Sequence, residues 1–331
     1  MKIIKKLIVL GLLGFAGLAA WMAWFSLRPL QLPSVPYEFT IPPGASLHRL
    51  ATQLEEAGVL QDELRFRLLG RVMGHAGKLQ AGTYSLDRPV TPLELLGKIV
   101  RGEVVRGVVL FIEGWNIREV RRELARNPQL EHRLLDMTDA DLLAAIGAEE
   151  GHPEGLFFPN TYYFSPHSPD IEVLRRAYQL QRQKLLAAWE TRAPGLPYKT
   201  PYEALVMASI IEKETGAAEE RPLIAAVFVN RLNRGMRLQT DPTVIYGMGS
   251  KFDGNLRKAD LQRDTPYNTY TRAGLPPTPI AMPGEESIRA ALNPADSKDL
   301  YFVSRGDGTH VFSATLEAHN RAVNRFQRNQ K

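Results

Sequence analysis

The chain of 331 residues contains no cysteine. Disulfide bonds, thiolate metal sites and cysteine nucleophiles are therefore excluded, and the absence suits an oxidising compartment without proving one. A strong surplus of one charge sign is missing too, because the formal net charge is only +5. That charge fits weak attraction to anionic polymers or lipid head groups, and no aromatic-basic signature of RNA binding accompanies it. We expect no nucleic-acid partner.

Metal-ligand spacing is also lacking. The 7 histidines are scattered along the chain, without the short intervals that metal sites use. We therefore expect no metal and no cofactor. The length of the chain suggests two or three domains with ample material for a core.

Charged residues are absent from one long apolar run, Leu7 to Leu27, which is long enough to cross a bilayer. The lysines before it place the N-terminus in the cytoplasm by the positive-inside rule; they are Lys2, Lys5 and Lys6. The sequence thus predicts a cytoplasmic tail over 1–6, a transmembrane anchor over 7–27, and an extracytoplasmic remainder. A cleaved signal peptide is the alternative, although its apolar core would normally be shorter.

Two stretches of the following region repeat one local pattern. Residues 39–47 and 109–117 each contain a strand, a glycine turn, and a Ser or Asn cap before an amphipathic helix. After a proline-rich linker over 28–36, this repeat predicts an α+β region over 37–140. We interpret it as a LysM-like, glycan-binding type of region, with plain scaffolding as the alternative.

The rest of the chain is organised around a helix predicted from Thr200 to Gly216. Thr200 can cap its N-terminus, Pro201 suits the first helical position, and Glu203 completes a capping box. Gly216 is well placed to end the helix. Between the caps the residues are apolar on nearly every side, which is typical of a buried helix.

Two glutamates, Glu212 and Glu214, lie at the end of this apolar helix. Burial and the helix dipole both raise the pKa of such carboxyls, and a carboxyl protonated near neutral pH can serve as a general acid. The two side chains point to different sides of the helix, because they are two residues apart. Glu214 has the more apolar neighbours, namely Met207, Ile210 and Ile211. The alternative is that both carboxylates are solvated or ion-paired.

Polar loops follow this helix. Residues 238–247, 267–270 and 274–277 are rich in proline, hydroxyl and amide groups. Such loops pack poorly into a core and make good walls for a groove that binds a polar ligand. A β-hairpin is predicted over 300–313, with its turn at 306–308.

Five motifs occur together in this chain: Glu212-Lys213-Glu214-Thr215 and the stretches 238–247, 267–270, 274–277 and 301–303. Their combination resembles the MltG (YceG-like) family. These are bacterial, membrane-anchored endolytic murein transglycosylases. The resemblance covers the anchor, the LysM-like region and the C-terminal domain, and is densest over 200–320. It implies an α+β protein whose catalytic domain, over 141–331, is mainly helical and lysozyme-like with a small β-hairpin.

The resemblance implies cleavage between MurNAc and GlcNAc inside peptidoglycan strands, without water. One acid protonates the bridging oxygen, and the C6 hydroxyl of MurNAc then attacks its own anomeric carbon, leaving a 1,6-anhydro end. A single carboxyl can serve as acid and then as base. In lysozyme-like transglycosylases, an apolar helix ends with a Glu followed by a Ser. The end of the helix in this chain resembles that pattern, because Glu214 is followed by the hydroxyl residue Thr215.

We therefore expect Glu214 to be catalytic, with Glu212 as the second catalytic candidate. Motif membership and loop chemistry give four candidates for substrate binding: Gln239, Asp241, Asn268 and Tyr270. The expected partners are glycan strands, the membrane and, as candidates, peptidoglycan synthases. The expected location is the inner membrane, crossed once, with the catalytic domain in the periplasm.

Two alternatives of other classes stay open. Ser209 and Lys213 are four residues apart on the helix and could meet as the dyad of a Ser–Lys protease, although Lys213 lies between two acids. The chain could also be a non-catalytic, membrane-anchored scaffold that binds glycan and positions cell-wall enzymes.

Overall fold

A computed structural model describes residues 2–328 of the chain. Residue 1 of the predicted tail and residues 329–331 of the predicted catalytic domain lie outside the described residues. The chain forms two compact units. The first consists of Met1–Gly107 with Tyr163–Pro166, and the second of Val108–Tyr162 with His167–Lys331.

The first unit combines a long N-terminal helix with a small α+β fold. Its elements are α1 (Lys2–Leu27), β1 (Tyr37–Ile41), α2 (Leu47–Glu56), α3 (Glu63–Val72), β2 (Gly82–Leu86) and α4 (Pro92–Arg101). The strands β1 and β2 are antiparallel, and Phe39 lies opposite Tyr84 with 5.5 Å between the ring centroids. Both rings are buried in the core that the sheet shares with α2, α3 and α4.

Within α1, the segment Ile8–Leu27 is long and apolar enough to cross a membrane, with a mean hydropathy of 2.0. Its side chains are mostly exposed, as expected of a helix whose partner is lipid. Near the end of the helix Phe25 becomes buried and joins the core of the first unit. The apolar helix that the sequence predicts is confirmed, and its length fits an anchor.

The remaining elements are mainly helical, with a β-hairpin just before the last helix. In chain order they are β3 (Gly107–Leu110), α5 (Ile117–Arg126), β4 (Leu130–Glu131), α6 (Asp139–Ile146), β5 (Thr161–Phe164), β6 (Ser168–Pro169), α7 (Asp170–Glu190), α8 (Pro201–Glu214), α9 (Arg221–Asn233), α10 (Asp241–Met248), α11 (Lys258–Gln262), α12 (Glu285–Leu292), β7 (Tyr301–Ser304), β8 (His310–Ser313) and α13 (Leu316–Val323). The strands β7 and β8 are antiparallel. The predicted hairpin and the mixed α+β class are confirmed.

The helix α8 is the centre of the second unit. It is in contact with α7, α9, α10 and α12, and every residue from Ala204 to Ile211 is buried. The helix begins as predicted, because the Thr200 side chain accepts a hydrogen bond from the backbone N–H of Glu203 at 3.2 Å.

Two details of the α8 ends differ from expectation. The Glu203 carboxylate accepts a hydrogen bond from the N–H of Lys199 and does not complete a capping box with Thr200. Gly216 does not end the helix, because Thr215 already has extended backbone, with φ −142° and ψ 139°. The chain therefore leaves the helix directly after Glu214.

The predicted repeat is present, but it is divided between the two units. Gly44 and Gly114 both adopt left-handed φ values, 75° and 77°, before the caps Ser46 and Asn116 of α2 and α5. The second copy belongs to the second unit, where a buried carboxylate holds the start of α5. The two compact units divide at Gly107, and the domain boundary at 140 stays a prediction. The LysM-like interpretation stays a prediction.

Candidate active site

Glu214 is the last residue of α8 and lines a cavity of about 490 Å³ in the second unit. Its Oε2 accepts a hydrogen bond from the Thr240 hydroxyl at 2.7 Å. Among residues 2–328, no hydrogen bond is formed with the other oxygen, Oε1. A carboxyl held by one oxygen in a cavity wall keeps the second available for a ligand.

Burial raises the pKa of Glu214 from 4.5 to about 7, and the negative charge of Asp241 acts in the same direction. The Thr240 hydrogen bond and the positive charges of His310 and Arg231 lower this pKa, but by less. Near neutral pH the carboxyl is therefore divided between its two protonation states. Such a group can donate a proton in one step and accept one in the next.

Glu212 lies in a different environment, because both of its carboxylate oxygens contact other residues of the chain. Its Oε2 accepts hydrogen bonds from the Gly284 N–H at 3.0 Å and from the Ser287 hydroxyl at 2.7 Å. The Arg221 guanidinium lies 3.6 Å from Oε1, and only 5 % of the Glu212 side chain is exposed. Glu212 thus holds the N-terminus of α12 against α8, where a carboxylate is also favoured by the helix dipole.

Three of the four predicted binding residues meet at the cavity of Glu214, namely Gln239, Asp241 and Tyr270. The Tyr270 hydroxyl donates to Asp241 Oδ1 at 2.5 Å. Burial and this carboxylate raise the pKa of Tyr270, so the hydroxyl stays protonated. Gln239 is exposed and has a left-handed φ of 50°, a conformation that is uncommon outside glycine.

The fourth predicted residue, Asn268, does not reach the cavity. Its side chain is 0 % exposed. The two hydrogens of its Nδ2 are shared among three carbonyl oxygens, those of Asp260, Leu261 and Arg263, and its Oδ1 accepts from the N–H of Tyr270. A buried amide whose hydrogen bonds are already made has none left for a sugar. These contacts support a role in holding the loop that carries Tyr270, and the assignment of Asn268 to substrate binding stays a prediction.

Threonines that the sequence analysis did not single out lock two loops of the site together. The N–H of Thr240 donates to Thr269 Oγ1 at 3.1 Å, and the Thr243 and Thr269 hydroxyls are 2.9 Å apart. This network leaves the Thr240 hydroxyl directed to Glu214. The position of Thr240 between Gln239 and Asp241 in the motif was a signal that could have identified it.

A second wall of the cavity carries positive and titratable groups that were also missed. His310 Nδ1 lies 2.6 Å from Glu220 Oε2, and its backbone N–H donates to Glu220 Oε1 at 2.8 Å. Arg231 is fixed by the carbonyl oxygens of Leu238 and Leu300, and burial lowers the pKa of its guanidinium. His310 and Arg231 line the cavity. No local pattern pairs Glu220 with His310, because 90 residues separate them.

A further carboxyl with a raised pKa lies in the interior. Glu154 is 1 % exposed, and burial raises its pKa to about 7. Its oxygens accept hydrogen bonds from the Ile117 N–H and the Tyr246 hydroxyl, so it anchors the start of α5. Glu154 is not among the residues that line the cavity of Glu214. Its contacts indicate a structural role.

The protease alternative loses its basis in the geometry. The Ser209 hydroxyl donates to the Val206 carbonyl at 2.7 Å and accepts from the Ile280 N–H at 3.0 Å. Lys213 is exposed, and its Nζ donates to the Gly114 carbonyl at 3.2 Å. Each member of the expected dyad is thus bound to backbone and not to the other.

Metal binding has no candidate in the part of the chain that the structure describes. Within it, no group of three or more histidine, aspartate or glutamate side chains is arranged to hold an ion.

A comparison with models of known families matches residues 39–325 to the YceG-like family. The chain belongs to this family. The match begins after the apolar helix and includes every residue of the candidate site. The YceG-like region thus contains both the repeat and Glu214.

Related proteins and a solved structure agree with this assignment. A protein of Bacillus subtilis named endolytic murein transglycosylase is 32 % identical over 303 residues, which cover 86 % of this chain and 83 % of that protein. A Streptococcus pneumoniae protein of the same name is 29 % identical, and the match covers 90 % of this chain but 60 % of that protein. A crystal structure titled as a yceG-like protein of Listeria monocytogenes has a TM-score of 0.53 and 28 % identity. It covers 86 % of this chain and 98 % of that chain.

Proposed function

We propose that this chain is a lytic transglycosylase that cuts within peptidoglycan glycan strands, with Glu214 as its acid and base. The observation that carries the proposal is a cavity-lining carboxyl with a pKa of about 7 and one oxygen without a hydrogen bond to the described residues. The names of the YceG-like relatives supply the substrate class and the endolytic mode of cleavage.

In the proposed reaction, protonated Glu214 donates its proton to the oxygen that bridges MurNAc and GlcNAc. The bond from that oxygen to the anomeric carbon of MurNAc breaks, and GlcNAc leaves with a hydroxyl. The C6 oxygen of the same MurNAc forms the new bond to the anomeric carbon, and its proton passes to the Glu214 carboxylate. The product has a 1,6-anhydro end, and the carboxyl returns to its protonated form.

One carboxyl is sufficient for this reaction because the substrate supplies the nucleophile. Hydrolases that use water require a second carboxyl at a defined distance, either as base or as nucleophile. Glu212 does not meet that need, because its oxygens are bound by Gly284, Ser287 and Arg221. Its contacts support a structural role.

The polar groups around Glu214 suit a sugar ligand. Gln239 is exposed at the cavity, and Tyr270 and Asp241 form a hydrogen-bonded pair there. Amide, hydroxyl and carboxylate groups can bind the hydroxyl and acetamido groups of aminosugars. We propose that these three residues hold the strand while Thr240 orients the Glu214 carboxyl.

We further propose that α1 anchors the chain in the inner membrane, with the N-terminus in the cytoplasm and the second unit in the periplasm. The charged residues before the apolar run favour this orientation. Anchoring would keep the enzyme near newly made strands, and peptidoglycan synthases are the partners that this location brings within reach.

The test is incubation of the full chain, in detergent, with purified sacculi in ¹⁸O-labelled water. We expect released fragments whose new MurNAc ends have the anhydro mass and no ¹⁸O. A label at those ends would make the protein a hydrolase and refute the proposed chemistry. Binding to sacculi without any cleavage would favour the scaffold alternative.

A further inference from the structure

The helix α3 carries an exposed apolar stripe. Leu64, Leu68 and Val72 follow one another at intervals of four residues, so they share one face of the helix. Their exposed fractions are 67 %, 39 % and 74 %. The other face of α3 packs into the core of the first unit through Phe66 and Leu69. An aligned set of exposed aliphatic side chains marks a surface for an apolar partner.

Arginines border this stripe on both sides. By helical spacing, Arg65 lies beside Val72, and Arg67 and Arg71 lie along the opposite border. Arg67 is 3.4 Å from Glu63, whereas Arg71 is exposed. An apolar face bordered by arginines is typical of helices that lie in the interface of a membrane with anionic lipids.

The contact between α3 and α1 indicates the depth at which α3 lies. The Arg65 guanidinium is 4.0 Å from the ring centroid of Trp21 and 5.8 Å from that of Phe25. Trp21 lies inside the segment Ile8–Leu27 that could cross a membrane. At about 1.5 Å per residue, Trp21 is only about 9 Å from the end of that segment. The polar interface of a bilayer is itself about 5–8 Å deep on each side.

We propose that the exposed face of α3 lies in the interface of the membrane that α1 crosses. Leu64, Leu68 and Val72 contact the acyl chains, and Arg67 and Arg71 contact the phosphates of anionic phospholipids. A membrane is favoured over a protein partner because the stripe adjoins the apolar helix and is bordered by arginines. The first unit would then be held against the bilayer at two places.

The lack of cysteine makes this proposal directly testable. We would attach a nitroxide to single cysteines in the full chain, in nanodiscs of phosphatidylethanolamine and phosphatidylglycerol. The test positions are Leu68→Cys and Val72→Cys, and Glu56→Cys is the matched control at an exposed position of α2. Gly14→Cys is the deep reference, since a side chain there meets no atom within 4 Å.

Relaxation by oxygen and by a water-soluble nickel chelate reports the depth of each label. We expect the ratio of oxygen to nickel relaxation at Leu68 and Val72 to exceed that at Glu56 several-fold, and to stay below that at Gly14. Equal nickel relaxation at Leu68, Val72 and Glu56 would overturn the proposal. A shallow reading at Gly14 would also overturn it, because α1 would then not cross the membrane.

A second series of nanodiscs, without phosphatidylglycerol, tests the arginine contacts. We expect the labels at Leu68 and Val72 to become more accessible to nickel, because the attraction of arginines to anionic lipid is lost. An unchanged reading would refute the role of Arg67 and Arg71. None of these measurements depends on glycan cleavage, so the proposal can fail or hold separately from the proposed function.

Discussion

Replacing Glu214 by Gln tests both the burial of this carboxyl and its role in cleavage. The pKa of Glu214 rises from 4.5 to about 7 on folding. The folded protein therefore holds the proton more tightly than the unfolded chain does. This contribution to stability is fully present below pH 4.5 and is lost as the pH rises through 7.

At about 1.4 kcal/mol per pKa unit, the shift corresponds to about 3 kcal/mol. Partial exposure of the carboxyl to water reduces this figure to about 1–2 kcal/mol. Gln has a similar shape and carries no charge at any pH. The Glu214→Gln variant therefore does not lose this contribution to stability as the pH rises. We expect the variant to gain stability relative to the parent by that amount as the pH rises from 5 to 8.

The measurement is unfolding of the full chain in detergent at a series of pH values, for parent and variant side by side. Glu154 titrates in the same range, but it is present in both proteins and cancels in the difference. We expect cleavage of sacculi by Glu214→Gln to fall by about 10²–10⁴-fold, because Gln has no acidic proton to donate.

Glu212→Gln is the matched control, and its expected effect on stability has the opposite sign. It weakens the contacts with Ser287, Gly284 and Arg221, so it should destabilise the protein by about 1–3 kcal/mol across the pH range. It should retain cleavage in proportion to its folded fraction. A stability difference for Glu214→Gln that does not change with pH would refute the argument from burial. Full cleavage by that variant would refute its role as the acid.

Three further results are expected. The kcat/KM for cleavage should fall as the pH rises through about 7, and Asp241→Asn should move that decline to lower pH, because removing a neighbouring negative charge lowers the pKa of Glu214. Asn268→Ala should destabilise the protein by about 1–3 kcal/mol by leaving buried carbonyls without donors, as measured by thermal unfolding. Lys213→Ala should leave cleavage within a few-fold of the parent, because the one side-chain hydrogen bond of Lys213 to the described residues goes to the Gly114 carbonyl.

Each of these predictions has an outcome that would contradict it. A pH profile that is the same for Asp241→Asn and the parent would show that the two carboxyls do not interact. An Asn268→Ala protein of normal stability that has lost cleavage would return Asn268 to the substrate. Complete loss of cleavage in a stable Lys213→Ala protein would reopen a catalytic role for this lysine.

Local patterns in the sequence were enough to determine several elements. The apolar run of α8 and its cap Thr200 predicted the central helix, because burial and capping depend on neighbours within a few turns. The glycine, cap and helix order predicted the starts of α2 and α5 for the same reason. The hairpin of β7 and β8 was likewise marked by its own turn residues.

The tertiary structure alone decided which partners each polar residue of the site has. Glu212 and Glu214 look alike in the sequence, but Glu212 meets Ser287, which is 75 residues away, and Glu214 meets Thr240. The sequence predicts that the Asn268 amide binds sugar, and only the fold shows that this amide is buried. The partners that fix burial, charge and pKa come from distant parts of the chain, and a pattern of neighbouring residues carries no record of those contacts.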